Sequence, residues 1–487
     1  MVSFDTPAEI RAELAAIRAA VATEGAARFA RWRPEIENRS FAASAANLAH
    51  YVALRGRDLR ALQEALVPLG LSSLGRLEGR VLANLDAVLA ALSSIAKEGP
   101  AGAARFPRPR QIWRGVERLR ANTDALFGPP RATRRGRILV TVSAEPEPTA
   151  AWFASLMNAG ADAFHINCAH DDVHAWRAFV SAIRAAAEES KRPARILMNL
   201  AGPKCRTAEV LHPKGNKRLN EGDRLLLVRD KLLPRSVMRF QAACSLPQVV
   251  DRLAVGAPVW VDDGHFGGVV EEVGPDGVVV AIQHAKPGGG KLKPDKGLNF
   301  PETDLALAAL TAKDCVDLDF VAAHADMVGY SFVQQAADIE RLQKELAARR
   351  PDWRSVGIVA KIETPRAVGN LPDIVVRAAG CQPFAVMIAR GDLAVELGFE
   401  RMAEIQEEIL WLAEAGHVPV IWATQVLESL VRARDAAMAA RAECVMLNKG
   451  PYVARAAKVL DRLLSRMAEH KNKKTPRLRA LKAFAGT

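Results

Sequence analysis

From Arg137 onward the chain alternates short apolar runs with amphipathic helical stretches, and this alternation restricts its folds more than any other feature. The runs cover residues 138–143, 161–168, 194–200, 326–332, 355–363, 383–387, 419–424 and 443–447. Helical periodicity follows most of them, for example over 149–158, 173–188 and 336–348. Eight such units predict an α/β fold, a (β/α)8 TIM barrel, whose active site lies at the C-terminal ends of the strands. A doubly wound open sheet is the alternative, but no Gly-x-Gly-x-x-Gly turn follows the first run. The barrel is favoured.

One connection is far too long. More than 120 residues separate the third and fourth runs, where a crossover needs about a dozen. Within the gap, residues 223–228, 258–264 and 277–282 are strand-like, and Gly274-Pro275-Asp276-Gly277 is a turn. A small β-barrel domain over 207–300 is therefore expected to interrupt the barrel, as a lid at its catalytic end. The barrel itself occupies 131–206 and 301–487, the latter ending in a helix over 453–469 and a basic tail, most simply a solvated end.

Residues 1–130 read as an N-terminal all-helical domain. Thr6-Pro7-Ala8-Glu9 is a capping box, followed by Ile10, Leu14, Ile17 and Val21 on one face. A second helix carries Leu59, Leu62, Leu66 and Leu69 and stops at Gly70; a third carries Val81, Leu85, Val88 and Leu92. Residues 97–110, rich in glycine, proline and arginine, read as a linker.

At 487 residues, 49% hydrophobic and 25% charged, the chain suits a globular protein of two or three domains. No run of 18 apolar residues appears, and the first residues lack the basic and apolar segments of a signal peptide, so a cytoplasmic protein without membrane contact is expected. Six scattered cysteines without a CxxC pair favour reduced thiols over disulfides or zinc. A net charge of +12 invites nucleic acid as a partner, but the arginines are dispersed and no recognition motif is visible. Anionic small substrates fit the charge as well.

Two adjacent strand ends carry the chemistry: Lys361-Ile362-Glu363 and Ala389-Arg390-Gly391-Asp392. Each presents a carboxylate where a strand stops. Two carboxylates about 4 Å apart repel by roughly 4 kcal/mol, so a cation belongs between them. Hard carboxylate oxygens select Mg2+ or Mn2+. Lys361 and Glu363 share a strand face. A metal and an ammonium facing one pocket suit a reaction that builds negative charge on oxygen. His165, Asn167 and His170 end the second strand, Asn199 the third, with Gly202-Pro203-Lys204-Cys205-Arg206 after it; Thr424, Gln425 and Glu428 follow the seventh. Each has an ordinary explanation by itself: Lys204 and Arg206 as rim charges, His170 as a loop histidine, Thr424 as a helix cap. Convergence on one mouth weakens that explanation.

The order and spacing of these elements resemble the pyruvate kinase family. Lys361-Ile362-Glu363, Ala389-Arg390-Gly391-Asp392-Leu393 and Ala423-Thr424-Gln425-Val426-Leu427-Glu428-Ser429 stand as in that family. Thr141–Ala144, His165–His170, Asn199–Arg206, Val261–Gly264 and Lys296–Pro301 are similar to further family elements, over roughly residues 137–450. The resemblance implies transfer of phosphate from phosphoenolpyruvate to ADP, giving pyruvate and ATP. It implies Glu363 and Asp392 as metal ligands, and Lys361, Thr424 and Arg206 as catalytic residues. It further implies that residues 389–392 bind substrate with Thr424, and that Asn167, His170, Arg206 and Lys296 contact nucleotide or phosphate. A homo-oligomer is expected. A weakly catalytic paralogue acting as a sensor and a metal-dependent aldolase of pyruvate-like acids are the competing readings.

The departures are specific. Lys204 stands where potassium-dependent members carry glutamate, and Ala169 and Asn199 replace a serine and an aspartate of the potassium cage. The Lys204 ammonium is thus expected to replace K+. His165 stands where the family has an arginine facing phosphates, which removes a permanent cation. The stretch after Ser429 lacks a Pro-Thr-Arg-Ala-Glu element, and the family's C-terminal regulatory domain is not expected here.

Overall fold

The computed structural model describes residues 4, 6–71, 73–97, 104–144, 147–234, 236–423, 441–450, 452–472 and 475–476. The N-terminal helices are α1 (Pro7–Trp32), α2 (Ala42–Arg55), α3 (Arg60–Leu66), α4 (Val81–Ile95) and α5 (Pro109–Phe127). The expected capping contact is present: Thr6 Oγ1 accepts from the Glu9 N–H. Gly70 ends the α3 segment at φ +70, a left-handed conformation that glycine adopts without strain. Helices α2 and α5 are additional to the three read from sequence. The buried stripe of α2 is rich in alanine, and four arginines interrupt the apolar positions of α5, so neither shows a broad leucine-rich face.

Eight parallel strands close a barrel. They are β1 (Arg137–Thr141), β2 (Ala163–Asn167), β3 (Arg195–Asn199), then, beyond the nine lid strands β4–β12, β13 (Met327–Tyr330), β14 (Gly357–Ile362), β15 (Phe384–Ala389), β16 (Val420–Ala423) and β17 (Cys444–Leu447). Helices α6 (Ala150–Ala159), α7 (Val173–Glu189), α8 (Ala312–His324), α9 (Ala336–Arg349), α10 (Pro365–Gly369), α11 (Leu371–Ala379), α12 (Arg390–Leu397) and α13 (Phe399–Ala415) lie among them, and Val453–His470 follows the last strand. Strands such as Met327–Tyr330 and Phe384–Ala389 are buried throughout, as helices outside and side chains inside require. Residues 424–440, which include the stretch after Ser429, lie outside the described residues.

The barrel interior is a packed layer of Leu139, Ala163, Leu197, Met327, Ala385, Ile421 and Cys444. Leu126 and Phe127, at the end of α5, join that layer from the N-terminal side of the strands. A Cβ on Gly357 would stand 2.5 Å from Leu126 Cδ2, so the strand start is shaped to receive the helix. The other N-terminal helices share one continuous core with the barrel. His417 staples this junction: its Nδ1 lies 2.9 Å from Ser44 Oγ, its Nε2 2.9 Å from the Gly79 carbonyl, and its own carbonyl accepts from Asn122 at 2.7 Å.

The interruption between β3 and β13 contains β4 (Thr207–Leu211), β5 (Arg218–Leu219), β6 (Arg224–Val228), β7 (Phe240–Cys244), β8 (Pro258–Val261), β9 (Phe266–Gly274), β10 (Gly277–Ala285), β11 (Gly290–Lys291) and β12 (Leu298–Asn299). Seven of them form one sheet in the order β12-β8-β9-β10-β6-β7-β4 around a separate apolar core. Both lid connections meet at the barrel's mouth, where Arg206 bridges Gly297 and the Leu298 N–H donates to the Cys205 carbonyl at 2.9 Å.

Candidate active site at the barrel mouth

A cavity of about 530 Å³ opens at the C-terminal strand ends. Its lining includes His165 and Asn167 of β2, His170 after it, Asn199 of β3, Lys361 and Glu363 at the end of β14, and Ala389, Gly391 and Asp392 where β15 enters α12. Strands β14 and β15 pair in register, Lys361 beside Met387 and Ile362 beside Ile388, which delivers the two acidic ends to the same place.

Each carboxylate has its own ammonium. Lys361 Nζ lies 2.7 Å from Glu363 Oε1, and Lys204 Nζ lies 2.6 Å from Asp392 Oδ1. Glu363 is only 1% exposed, and its Oε2 accepts from the Phe332 N–H at 2.7 Å. Phe332 adopts φ +55, an unfavourable conformation for a residue with a Cβ, and it is this turn that carries the N–H toward the carboxylate. Burial raises the Glu363 carboxyl above its ordinary value against the pull of Lys361, and the Asp392 charge adds to the rise. Asp392 goes the other way: burial opposes ionisation, but Lys204 and Lys361 together hold its carboxyl below the usual range. Burial works to lower the Lys204 ammonium, but the Asp392 carboxylate, joined by Asp263 and Glu363, raises it overall.

The loop that brings Lys204 in is fixed from beneath. Buried Asp314 accepts from the Ala201 N–H at 2.9 Å and the Gly202 N–H at 3.3 Å. Gly202 has φ +69, and a Cβ there would stand 2.9 Å from both Ser331 and Phe332. Ser331, which the sequence reading passed over, ties the site together: its hydroxyl receives the Lys361 ammonium at 3.0 Å and the Asn199 amide at 3.2 Å, and donates to the Leu200 carbonyl at 2.8 Å. Its position at the end of a barrel strand was the available signal. Lys449, beyond β17, also lines the cavity and was likewise missed.

Two groups of β2 and β3 that line the mouth, His165 and Asn199, are uncharged. His165 is buried, and desolvation, helped by the Lys361 charge, lowers its pKa to about 3. Its Nδ1 lies 3.2 Å from Thr141 Oγ1, while Nε2 is buried without a hydrogen-bond partner. Asn199 Oδ1 is also buried and unpartnered. Among the remaining predicted residues, Arg206 and Lys296 stand in the lid connections, paired with Asp295 at 3.4 Å and Asp262 at 2.8 Å, rather than in the cavity lining. The Arg390 guanidinium lies 5.1 Å from the Trp422 ring centroid, so residue 390 reaches the site through its backbone position at the start of α12. Thr424, Gln425 and Glu428 lie outside the described residues.

The donor set fits a divalent ion that keeps other ligands. No group of three or more His, Cys, Asp or Glu side chains that could hold a metal occurs among the described residues. Glu363 and Asp392 supply two hard oxygen donors, and Mg2+ is commonly held by one or two carboxylates, with water and substrate oxygens completing its shell.

The fold and site together define a (β/α)8 barrel with an inserted lid and a paired acidic centre at its mouth. The barrel-domain model of pyruvate kinase matches residues 133–449, and the chain belongs to the pyruvate kinase family. Pyruvate kinase 2 of Synechocystis sp. is 33% identical over 61% of this chain and 48% of its own length, so the present chain spans about half of that relative. Pyruvate kinase of Mycobacterium intracellulare is 30% identical over 71% of this chain and 72% of its own. The crystal structure of a pyruvate kinase from Cryptosporidium parvum shares the fold, with a TM-score of 0.62 at 24% identity over 72% of this chain and 73% of that one. No helix among the described residues is long and apolar enough to cross a membrane.

Proposed function

We propose that this chain transfers the phosphoryl group of phosphoenolpyruvate to ADP, giving pyruvate and ATP, with Mg2+ (or Mn2+) required and K+ not required. The observation that carries the proposal is the meeting of Glu363, Asp392 and Lys361 at one cavity, with each carboxylate met by an ammonium, Glu363 by Lys361 and Asp392 by Lys204. Glu363 and Asp392 would hold the divalent ion, which supplies charge neutralisation at the substrate's oxygens when bound. Lys361 faces the same space and stabilises the phosphoryl group in transfer and the enolate oxygen left behind. The first turn of α12, around Gly391 and Asp392, offers backbone N–H groups to the substrate carboxylate. Thr424 places the proton delivered to the enolate. Asn167 and His170 face the nucleotide from the β2 side, and Arg206 and Lys296 reach its phosphates by exchanging their present aspartate partners. In-line transfer then needs positioning and charge neutralisation rather than a covalent intermediate.

Lys204 supports K+ independence, since its ammonium already sits 2.6 Å from Asp392. A second reading, a protein that binds phosphoenolpyruvate or nucleotide with slow transfer, draws support from the uncharged His165. A coupled assay for pyruvate, with and without ADP and Mg2+, separates the two. ADP-dependent, chelator-sensitive pyruvate formation is expected. Calorimetric binding of either substrate without pyruvate formation would establish the second reading instead.

A further inference from the structure

Two cysteines that the transfer chemistry does not use meet beside the active-site lysine. Cys205 follows Lys204 directly, in the connection from barrel to lid, and its carbonyl accepts from the Leu298 N–H at 2.9 Å. Cys244 ends β7, the strand that pairs antiparallel with β4. Thr207 lies opposite Cys244, so Cys205, two residues earlier, projects from the same face of the sheet as Cys244. The backbones are held together at this point. The Arg206 N–H donates to Ser245 Oγ at 2.9 Å and the Ser245 N–H donates to the Arg206 carbonyl at 2.8 Å. Both thiols lie in the lid's apolar core, each 3% exposed, and hydrogen-bond to each other. The other four cysteines belong to the barrel and its helices.

We propose that Cys205 and Cys244 form a modification site, a dithiol that hydrogen peroxide closes to a reversible disulfide, pinning β7 of the lid to the connection that carries Lys204. The Cys205 sulfur attacks one peroxide oxygen, the O–O bond breaks, and the second oxygen leaves as water with the thiol proton. The Cys244 sulfur then displaces the hydroxyl from the Cys205 sulfenic acid as a second water, taking up the Cys244 proton. Two thiols are oxidised and one peroxide is reduced. Cys205 is the first to react: the hydrogen bond from Cys244 favours its thiolate, whereas the Cys244 thiol is pushed up by the same contact and by burial. Closing the bond shortens a thiol–thiol contact to about 2.05 Å, so β7 and that connection must draw together.

The test is chemical and needs no catalytic readout. The intact full-length chain is treated with hydrogen peroxide, denatured, alkylated and mapped by peptide mass spectrometry. Two of its six thiols should become unreactive, a peptide linked through Cys205 and Cys244 should appear, and dithiothreitol should abolish it. In Cys244→Ala, Cys205 should instead be trapped as a sulfenic acid by dimedone, and Cys205→Ala should leave Cys244 reduced. Six reactive thiols after treatment, a linkage through another pair, or equal linkage in the urea-unfolded chain would each overturn the proposal.

Discussion

The two sides of the mouth differ in kind. At the ends of β14 and β15 the acidic groups are charged and paired, Glu363 with Lys361 and Asp392 with Lys204, which reaches across from the loop after β3. Within β2 and β3, His165 and Asn199 are uncharged, and each keeps a buried polar atom without a partner. Charges can be buried on the first side because they compensate one another; a single buried partner left alone would cost about 3–5 kcal/mol. The second side has no compensating acid in contact with His165, so the imidazole stays neutral through the ordinary pH range. One barrel mouth therefore presents a charged, compensated side beside an uncharged one.

Removing the ammonium from the charged side should have the largest effect. Lys361→Met is expected to lower kcat for pyruvate formation about 10³-fold, in the range lost when a preorganised electrostatic group is deleted. A fall of less than tenfold would place the transferred charge elsewhere. Glu396 gives the next effect, on stability. Burial pushes its carboxyl up to about 7, against a hydrogen bond from Asn299 at 2.8 Å, with Asp392 adding to the rise. The folded, metal-free protein thus holds a proton there, between the ordinary glutamate value and about 7, that the unfolded chain has released. Stability should therefore fall as pH rises through that window, by up to about 3 kcal/mol, and Glu396→Gln should flatten the profile in urea melts.

On the neutral side, His165→Arg restores a cation and should lower the KM for ADP about tenfold, the order of one charge-assisted hydrogen bond. An unchanged KM would show that the phosphates lie away from β2. The smallest effect is a null one. Because Lys204 occupies the Asp392 carboxylate, KCl at fixed ionic strength should change the rate by less than about twofold, within the scatter of a screened surface effect. A several-fold activation would show that the ammonium does not replace K+.

Much of this was legible in the chain. The eight barrel strands fall within a few residues of their expected places, since parallel strands buried on both faces leave continuous apolar runs. Lys361, Glu363 and Asp392 were legible as strand-end residues, and the coordinates bring them to one cavity. Ser331, Asp314 and Phe332 were not, although they hold Lys361, the Lys204 loop and Glu363 in place. Their side chains and backbone act across elements distant in sequence, which no local pattern reports. Helix α5 was hidden for a related reason, since Leu126 and Phe127 acquire their role only against the barrel interior.

By itself the sequence determined the strand–helix rhythm, the position of the lid and the acidic and basic residues offered at the strand ends, because periodicity and strand termination are local properties. Tertiary structure alone decided which lysine neutralises which carboxylate, that His165 is buried and uncharged, and that α5 closes the barrel. Those outcomes depend on distances of a few ångströms between segments far apart in the chain, and on how much water the packed fold leaves around each charge.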